Sequence, residues 1–392
     1  MRNFVNKRAA SLQPSGIRKF FDIVSKMEGA ISLGVGEPDF VTPWNIRDKA
    51  IRSLQRGYTQ YTGNRGLPEL CSLISRYIKE RFGVEYPPEN TIVTVGASEA
   101  IDLALRAVCD VGDEILIPEP SYVSYAPAVT LAGGAPVPVI CSAENKFILT
   151  PERLESAITP KTKALILAYP NNPTGAIMTK AQLEAIIPVI EKHDLLVISD
   201  EIYAELTYTG THVSIASLGD MRGRTVLING FSKAFAMTGW RVGFVCAPPE
   251  IDAAMLKIHQ YTILCAPQTG QRAAVCALKE GLADGFSTVE DMRAEYNRRG
   301  RFLVNAFNSL GLDCFQPEGA FYVFPSVEKT GMNGESFANE LLRRYKVAVV
   351  PGSAFGAAGE KHVRCSYATS MRNLTAAIER ISDFTEEIKS RI

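Results

Sequence analysis

The sequence predicts an α/β protein, in which a mostly parallel sheet is flanked by helices and followed by a smaller α+β part. Short apolar runs rich in Val, Ile and Leu alternate with helical patterns, which is typical of a parallel sheet covered on both faces. Towards the C-terminus the strand-like runs shorten and lie between longer helices. A chain of 392 residues is also too long for one ordinary core. We therefore expect a large domain over 46–284 and a small domain formed by 1–45 together with 285–392.

The N-terminal segment reads as irregular, with one short helix predicted at Ile17–Met27. Gly34, Gly36 and Pro38 then indicate a loop, which is either a plain turn or a stretch of backbone that lies close to a ligand. The first residues carry positive charge but no apolar core, so we do not expect a secretory signal.

Two helices are predicted next, at Pro43–Arg56 and Pro68–Phe82, with Tyr58 and Tyr61 on the Gly-rich turn between them. A tyrosine on such a loop is usually incidental, but its hydroxyl could donate to an anion.

A strand at 91–95 leads into the turn Gly96-Ala97-Ser98 and a further helix. The free N–H groups at that helix start could bind an anion, with Ser98 as a possible cap. A simple N-cap is the alternative, and the two can coexist.

The remaining elements follow the same alternation. Strands are predicted at Glu114–Pro118, Ala135–Cys141, Lys163–Ala168, Leu195–Ser199, Thr225–Ile228 and Arg241–Ala247, and then at Ala320–Phe324, Val347–Val350 and Val363–Tyr367. Helices are predicted at Lys180–His193 and at about 249–264, 266–281 and 285–309.

Polar side chains follow the ends of four of these strands: Tyr122, Asn172, Asp200 and Lys233. The carboxyl ends of parallel strands form the edge where ligands of α/β proteins bind, so we expect these residues to meet in one site. Each has a structural alternative. The tyrosine could pack in a core, the asparagine could form an Asx-turn, and the aspartate could cap a helix.

The stretch from Thr225 to Gly243 carries the most specific chemistry. Lys233 follows a buried strand, where desolvation and neighbouring cations could lower its pKa and make it a nucleophile toward a carbonyl. Ser232 and Arg241 would suit a phosphate, which a guanidinium matches bidentately. A single lysine is more often a solvated surface residue, but a carbonyl-binding lysine beside a phosphate site suggests pyridoxal phosphate (PLP).

The electronics of PLP call for partners that the sequence can supply. Asp200 could face the pyridine nitrogen, Tyr122 could cover the ring, and Asn172 and Tyr203 could donate to the ring hydroxyl. Tyr203 could instead be a packing residue.

Two further groups complete the expected site. The Ala97–Ser98 turn would join Ser232 and Arg241 at the phosphate. Arg364, in a predicted strand, could bind a substrate carboxylate, although such an arginine is more often part of a surface ion pair.

Composition excludes several other classes of function. Forty-two basic residues balance forty-two acidic ones, so no overall field favours nucleic acid or an anionic membrane. No apolar run is long enough to span a bilayer. The eight cysteines form no C-x-x-C pair and the four histidines are isolated, so we expect no metal site or disulfide framework, and a cytoplasmic location.

Over essentially its whole length the chain resembles the class I/II aminotransferases, which are PLP enzymes of fold type I. The resemblance rests on the motifs GEPDF (36–40), YTGNRGLPEL (61–70), NNPTG (171–175), SDEIY (199–203), FSKAFAMTGWRVG (231–243) and RCSYA (364–368). It implies that Lys233 binds the cofactor aldehyde and acts with Asp200 and Tyr203 as the catalytic residues.

The same resemblance implies the remaining roles. Cofactor contacts fall to Ala97, Ser98, Tyr122, Asn172, Asp200, Tyr203, Ser232, Lys233 and Arg241, and substrate contacts to Gly36, Asn172 and Arg364. Tyr61 matches a tyrosine that reaches the phosphate of the other subunit, which implies a homodimer with shared active sites. Gly230 stands where some relatives carry a serine, so that phosphate contact should be missing.

The implied reaction is ping-pong transfer of an α-amino group from an amino acid to a 2-oxo acid, with 2-oxoglutarate as the usual acceptor. Because Ser98 stands where some aspartate-specific relatives have a lysine, a strict aspartate preference is not expected. The branch it resembles, bacterial aminotransferase A, suggests acetylated diaminopimelate, aromatic or other neutral donors. A β-lyase on the same fold remains an alternative, as does a PLP-sensing regulator, although the sequence shows no helix-turn-helix extension.

Overall fold

The structure, a computed structural model, describes residues 2, 4–13 and 27–390 of the chain. Its strands are β1 Ile31–Ser32, β2 Thr91–Thr94, β3 Glu114–Glu119, β4 Ala135–Ile140, β5 Thr162–Leu167, β6 Leu196–Asp200, β7 Thr225–Gly230, β8 Gly243–Cys246, β9 Tyr322–Val323, β10 Val347–Ala348, β11 Val350–Pro351 and β12 Val363–Ser366. Its helices are α1 Lys7–Ser11, α2 Trp44–Gln55, α3 Pro68–Phe82, α4 Ala97–Val108, α5 Tyr125–Ala132, α6 Pro151–Ala157, α7 Lys180–Lys192, α8 Pro249–Thr262, α9 Gln268–Asp284, α10 Ser287–Ser309, α11 Gly334–Tyr345 and α12 Met371–Lys389. The helix predicted at Ile17–Met27 falls on residues outside the described part, except for its last residue, Met27.

The large sheet has seven strands in the order β2-β8-β7-β6-β5-β3-β4. Strands β4, β3, β5, β6 and β7 pair in parallel, whereas β8 pairs antiparallel with both β7 and β2. The predicted α/β class with a mostly parallel sheet is confirmed, and β8 is the strand that departs from it.

Helices cover this sheet on both faces because side chains alternate along its strands. In β7, Val226 and Ile228 join one buried apolar cluster with α4 and α8, while Leu227 joins another with α3 and α9. Both faces of the strand are therefore buried, which explains why it reads as a continuous apolar run.

A second body of structure surrounds a three-stranded sheet in the order β11-β12-β9, and β1 pairs separately with β10. Helices α10, α11 and α12 pack on it through a cluster that includes Tyr296, Phe337 and Phe384. The strand predicted at Val347–Val350 is divided, since its first half pairs with β1 and its second with β12.

Two other strand boundaries predicted from sequence were wrong for a backbone reason. Arg241 has φ +53° and Ala320 has φ +55°, so neither can belong to a strand. β8 therefore begins at Gly243 and β9 at Tyr322.

None of the helices in the described part is long and apolar enough to cross a membrane. All eight cysteines are free thiols, and the described residues contain no group of three or more potential metal ligands.

Candidate active site

A cavity of about 560 Å³ lies at the carboxyl edge of the large sheet. It is lined by Gly36, Ala97, Ser98, Tyr122, Asn172, Asp200, Tyr203, Ser232, Lys233, Arg241 and Arg364, together with residues that the sequence did not single out. Of the predicted site residues, Tyr61 does not line the cavity of its own chain, and its side chain is 81% exposed.

Strand order brings the candidate residues together. Asp200 is the last residue of β6, and Lys233, Asn172 and Tyr122 follow the ends of β7, β5 and β3. These four strands are consecutive neighbours in the sheet, so their carboxyl ends open on one space.

Lys233 is partly buried, and its Nζ donates to the carbonyl oxygen of Gly36 at 2.6 Å. Burial lowers the pKa of Lys233 to about 8, opposed by the Glu37 carboxylate and assisted by the guanidinium groups of Arg364 and Arg241. An amine with this pKa is neutral in a substantial fraction of molecules near pH 8, and the neutral amine is the nucleophilic form.

Asp200 is 6% exposed, and among the described residues no cation forms an ion pair with it. Its Oδ2 accepts from the hydroxyl of Tyr125 at 2.8 Å and its Oδ1 from the backbone N–H of Ile202 at 3.1 Å. Burial raises the pKa of Asp200 to about 6, although both hydrogen bonds act in the opposite direction. A buried carboxylate that lines the cavity and forms no ion pair with the described cations suits a ligand that brings a positive N–H.

Tyr125 was missed by the sequence reasoning. It is the first residue of α5, and its contact with Asp200 spans 75 positions in the sequence. Tyr122 and Tyr125 both line the cavity, and no local signal in the sequence shows that Tyr125 is the one that binds the aspartate.

The turn before α4 fits an anion. Gly96 has φ +78°, and a Cβ there would lie 2.5 Å from Nη2 of Arg241, so only glycine allows this guanidinium to approach. The guanidinium also donates to the carbonyl of Thr238 at 2.8 Å. The first N–H groups of α4, on Ala97 and Ser98, have no partner within the helix, and both residues line the cavity, so this helix start could bind a phosphate.

Ser98 as the N-cap of this helix was a wrong prediction. The cap residue is Gly96, which makes no side-chain hydrogen bond, and Ser98 lies inside the first turn. Within the described residues, no side chain therefore caps this helix end, which borders the cavity.

Arg364 lies on β12 and is 3% exposed. Its Nη1 donates to Oδ1 of Asn172 at 2.9 Å and its Nη2 to the carbonyl of Gly34 at 2.5 Å. The guanidinium lies 4.5 Å from the ring centre of Tyr322 and 4.9 Å from that of Phe355. This clamp holds a planar fork of donors at the cavity wall, as binding of a carboxylate requires.

The structure resolves two alternatives left open by the sequence. Asn171, not Asn172, forms the local turn, because its Oδ1 accepts from both the N–H and the hydroxyl of Thr174. Tyr203 is buried, but its hydroxyl is 2.8 Å from that of Tyr322, which also lines the cavity and was not predicted.

The donor set of the cavity fits PLP on these observations. An uncapped helix start with an adjacent guanidinium suits its phosphate, a buried unpaired carboxylate suits a protonated ring nitrogen, and a lysine of lowered pKa suits its aldehyde.

Comparison with known proteins agrees with this chemistry. The sequence profile of the family described as "Aminotransferase class I and II" matches residues 28–381. The chain is 52% identical to the Bacillus subtilis protein named "Putative aminotransferase YugH", over 98% of this chain and 99% of that protein. It is 46% identical to an aspartate aminotransferase of Pyrococcus abyssi, over 98% and 99% of the two chains. The crystal structure of an aromatic aminotransferase from Pyrococcus horikoshii superposes with a TM-score of 0.90 at 45% identity, covering 95% of this chain and all of that one.

Proposed function

The chain belongs to the class I and II aminotransferase family, and we propose on that premise how its own residues serve the reaction. The protein is a PLP-dependent aminotransferase, which moves an α-amino group from an amino acid to a 2-oxo acid. A ping-pong sequence and 2-oxoglutarate as acceptor are general features of this family.

When bound, PLP supplies an aldehyde that captures amines and a ring that accepts electrons. Lys233 would hold the aldehyde carbon through Nζ, and Asp200 would keep a proton on the ring nitrogen. Tyr122 would cover one face of the ring, while Asn172 and Tyr203 would donate to the ring hydroxyl. All five residues line the same cavity, which supports these assignments.

The phosphate would lie against the backbone N–H groups of Ala97 and Ser98, the hydroxyl of Ser232 and the guanidinium of Arg241. All four residues line the cavity, and the guanidinium of Arg241 lies beside Gly96 at the start of α4, which supports this placement.

The substrate carboxylate would bind Arg364 and Asn172, beside the backbone of Gly36. Once the amine of Lys233 is free, its Nζ would take the α-proton of the substrate and later return a proton, as base and then acid. The pKa of Lys233, which burial lowers to about 8, favours both roles near neutral pH. The buried ring of Tyr322 under Arg364 would help to exclude water.

We further propose that the donor carries a neutral side chain, aromatic ones and acetylated diaminopimelate included. Among the described residues the cations that line the cavity are Lys233, Arg241 and Arg364, and each has a role in binding cofactor or α-carboxylate. A distal carboxylate, as in aspartate, would find no further cation among these lining residues, and the carboxylate of Glu37 lines the same cavity. The preference should then be for neutral over acidic donors.

We also propose a homodimer in which Tyr61 reaches the phosphate of the partner subunit. Its exposure on a loop supports this role, and so do Trp44 and Tyr261, aromatic side chains that are likewise exposed. The cytoplasm remains the proposed location. The division into a large domain (46–284) and a small domain (1–45 with 285–392) is also a proposal, supported by the separate apolar cluster around the three-stranded sheet.

One observation carries the functional proposal: the lysine amine of lowered pKa and the buried carboxylate line the same cavity. The test is a spectral titration of the purified protein with PLP and then with single amino acids. We expect cofactor absorbance that changes with phenylalanine or tyrosine at lower concentrations than with aspartate, and release of the matching 2-oxo acid. Release of pyruvate and ammonia would instead favour the β-lyase, and a protein that never acquires PLP absorbance would refute the site.

A further inference from the structure

The backbone turn that precedes α4 is held from three sides. The N–H of Val95 donates to Oε2 of Glu99 at 2.5 Å, and the carbonyl of Val95 accepts from Nη2 of Arg241 at 3.5 Å. The carbonyl of Gly96 accepts from the hydroxyl of Thr94 at 2.9 Å. Glu99 is thus the side chain that fixes the N–H side of this turn.

Glu99 is itself held by a histidine from another helix. His259, on α8, is 0% exposed, and its Nδ1 lies 2.7 Å from Oε1 of Glu99. Because an ionised carboxylate can only accept, the ring nitrogen is the donor. The other ring nitrogen, Nε2, is buried and has no partner among the described residues. The bond to Glu99 is therefore the polar side-chain contact that compensates for burial of this ring.

We propose that Glu99 and His259 are positioning residues for the cofactor phosphate. They fix the Val95–Gly96 turn so that the N–H groups of Ala97 and Ser98 point into the cavity. The inference rests on the phosphate site proposed above, and neither Glu99 nor His259 lines the cavity.

The arrangement also keeps those N–H groups available. A carboxylate in the first turn of a helix tends to bind the free N–H groups there, and would then compete with an incoming anion. Both oxygens of Glu99 are engaged elsewhere, one on Val95 and one on His259. Glu99 therefore fixes the backbone turn at the proposed phosphate site without occupying the site itself.

A comparison of the Kd values for PLP and for pyridoxal, which lacks the phosphate, distinguishes this role from a general effect on folding. We expect Glu99→Ala to raise the Kd of the full-length apoprotein for PLP about tenfold, as for loss of one cap-type hydrogen bond. The Kd for pyridoxal should stay unchanged. Glu99→Gln should bind PLP nearly as the parent does, because its amide oxygen can still accept from Val95.

The partner histidine and a neighbouring acid provide further variants. His259→Leu removes the donor to Glu99 and should weaken PLP binding, whereas His259→Asn places an amide N–H near the position of Nδ1 and should restore it. Asp102→Asn is the matched control, since Asp102 is on the same helix but pairs with Arg106 on the surface. This variant should bind both ligands as the parent does.

Equal losses of PLP and pyridoxal affinity in Glu99→Ala would overturn the inference, because they would show a general structural role. An unchanged PLP Kd in that variant would overturn it as well. If the parent protein itself bound both ligands equally well, the phosphate site of the proposed function would fail, and the inference with it. The parent measurement therefore tells the two failures apart.

Discussion

Replacing Asp200 with asparagine should stabilise the protein without its cofactor and inactivate the enzyme with it. The carboxyl group is buried and, within the described residues, has no cation in an ion pair with it, so its charge is costly until a positive N–H faces it. Burial accordingly raises the pKa of Asp200 to about 6 from an ordinary value of 3.8.

The size of the stabilisation follows from that difference in pKa. Raising the pKa of Asp200 from 3.8 to about 6 costs the ionised native state ~3 kcal/mol, at 1.36 kcal/mol per unit. The hydrogen bonds from Tyr125 and Ile202 are already part of this net difference, because both favour the ionised form. We therefore expect the variant apoprotein to be more stable by about 3 kcal/mol at pH 7.5.

The pH dependence has a definite sign. Well below pH 3.8 the carboxyl group is protonated in both the native and the unfolded chain, so its charge does not destabilise the wild type there. As pH rises through 4 to 6, the unfolded chain releases this proton more readily, and the wild type loses stability relative to the variant. Above that range the difference should be constant.

Urea unfolding of the two apoproteins at pH 4, 5.5 and 7.5 measures this difference, with Asp102→Asn as a control at an exposed ion pair. In the holoenzyme we expect Asp200→Asn to lower the transamination rate at least ~100-fold, because a neutral amide cannot keep the ring nitrogen protonated. Parallel stability profiles for wild type and variant, or near-normal turnover in the variant, would refute the reasoning.

Three further predictions concern the same cavity. Lys233→Ala should abolish the absorbance of lysine-bound PLP and nearly all transamination. The control variant Lys163→Ala, which breaks an ion pair outside the cavity, should change neither. Near-normal turnover without Lys233 would contradict its role. The rate at which the apoprotein captures the PLP aldehyde should rise with pH and have its midpoint near pH 8. The reason is that burial lowers the pKa of Lys233 to about 8 and only the neutral amine reacts. Stopped-flow absorbance measures this rate, and a midpoint above pH 10 would contradict the prediction. Gly96→Ala should destabilise the fold by ~1–3 kcal/mol and weaken PLP binding, because the new methyl group meets Arg241. The control variant Gly57→Ala has a similar positive φ but no neighbouring atoms, so it should destabilise the fold and leave the Kd for PLP unchanged.

The strands of the large sheet could be predicted from sequence because each one is marked by a short apolar run of neighbouring residues. The apolar runs of β3, β5, β6 and β7 are long enough to be recognised one by one, and the rule that parallel strands expose their carboxyl ends on one edge then locates the site. Strand order was not needed to predict that Tyr122, Asn172, Asp200 and Lys233 would meet.

Contacts between distant segments could not be predicted in this way. Tyr125 binds Asp200 across 75 positions, and Tyr322 meets Tyr203 across 119, so their partners depend on tertiary packing that no local pattern reports. The same holds for the contact of Glu99 with His259 across 160 positions.

Backbone geometry explains the remaining errors. Arg241 begins the run that was predicted as a strand, but it adopts a left-handed conformation, and its guanidinium lies beside Gly96. A serine in the first turn favours a capping role statistically, yet glycine provides the positive φ that the turn before α4 requires.

The loop that begins at Gly34 has a thermodynamic consequence for turnover. Its carbonyl groups at Gly34 and Gly36 already accept hydrogen bonds from Arg364 and Lys233. An incoming carboxylate thus exchanges one acceptor for another, and such a swap yields only ~0.5–1.5 kcal/mol per bond. For an enzyme that binds and releases two acids in every cycle, this smaller net gain in binding free energy favours release of the product.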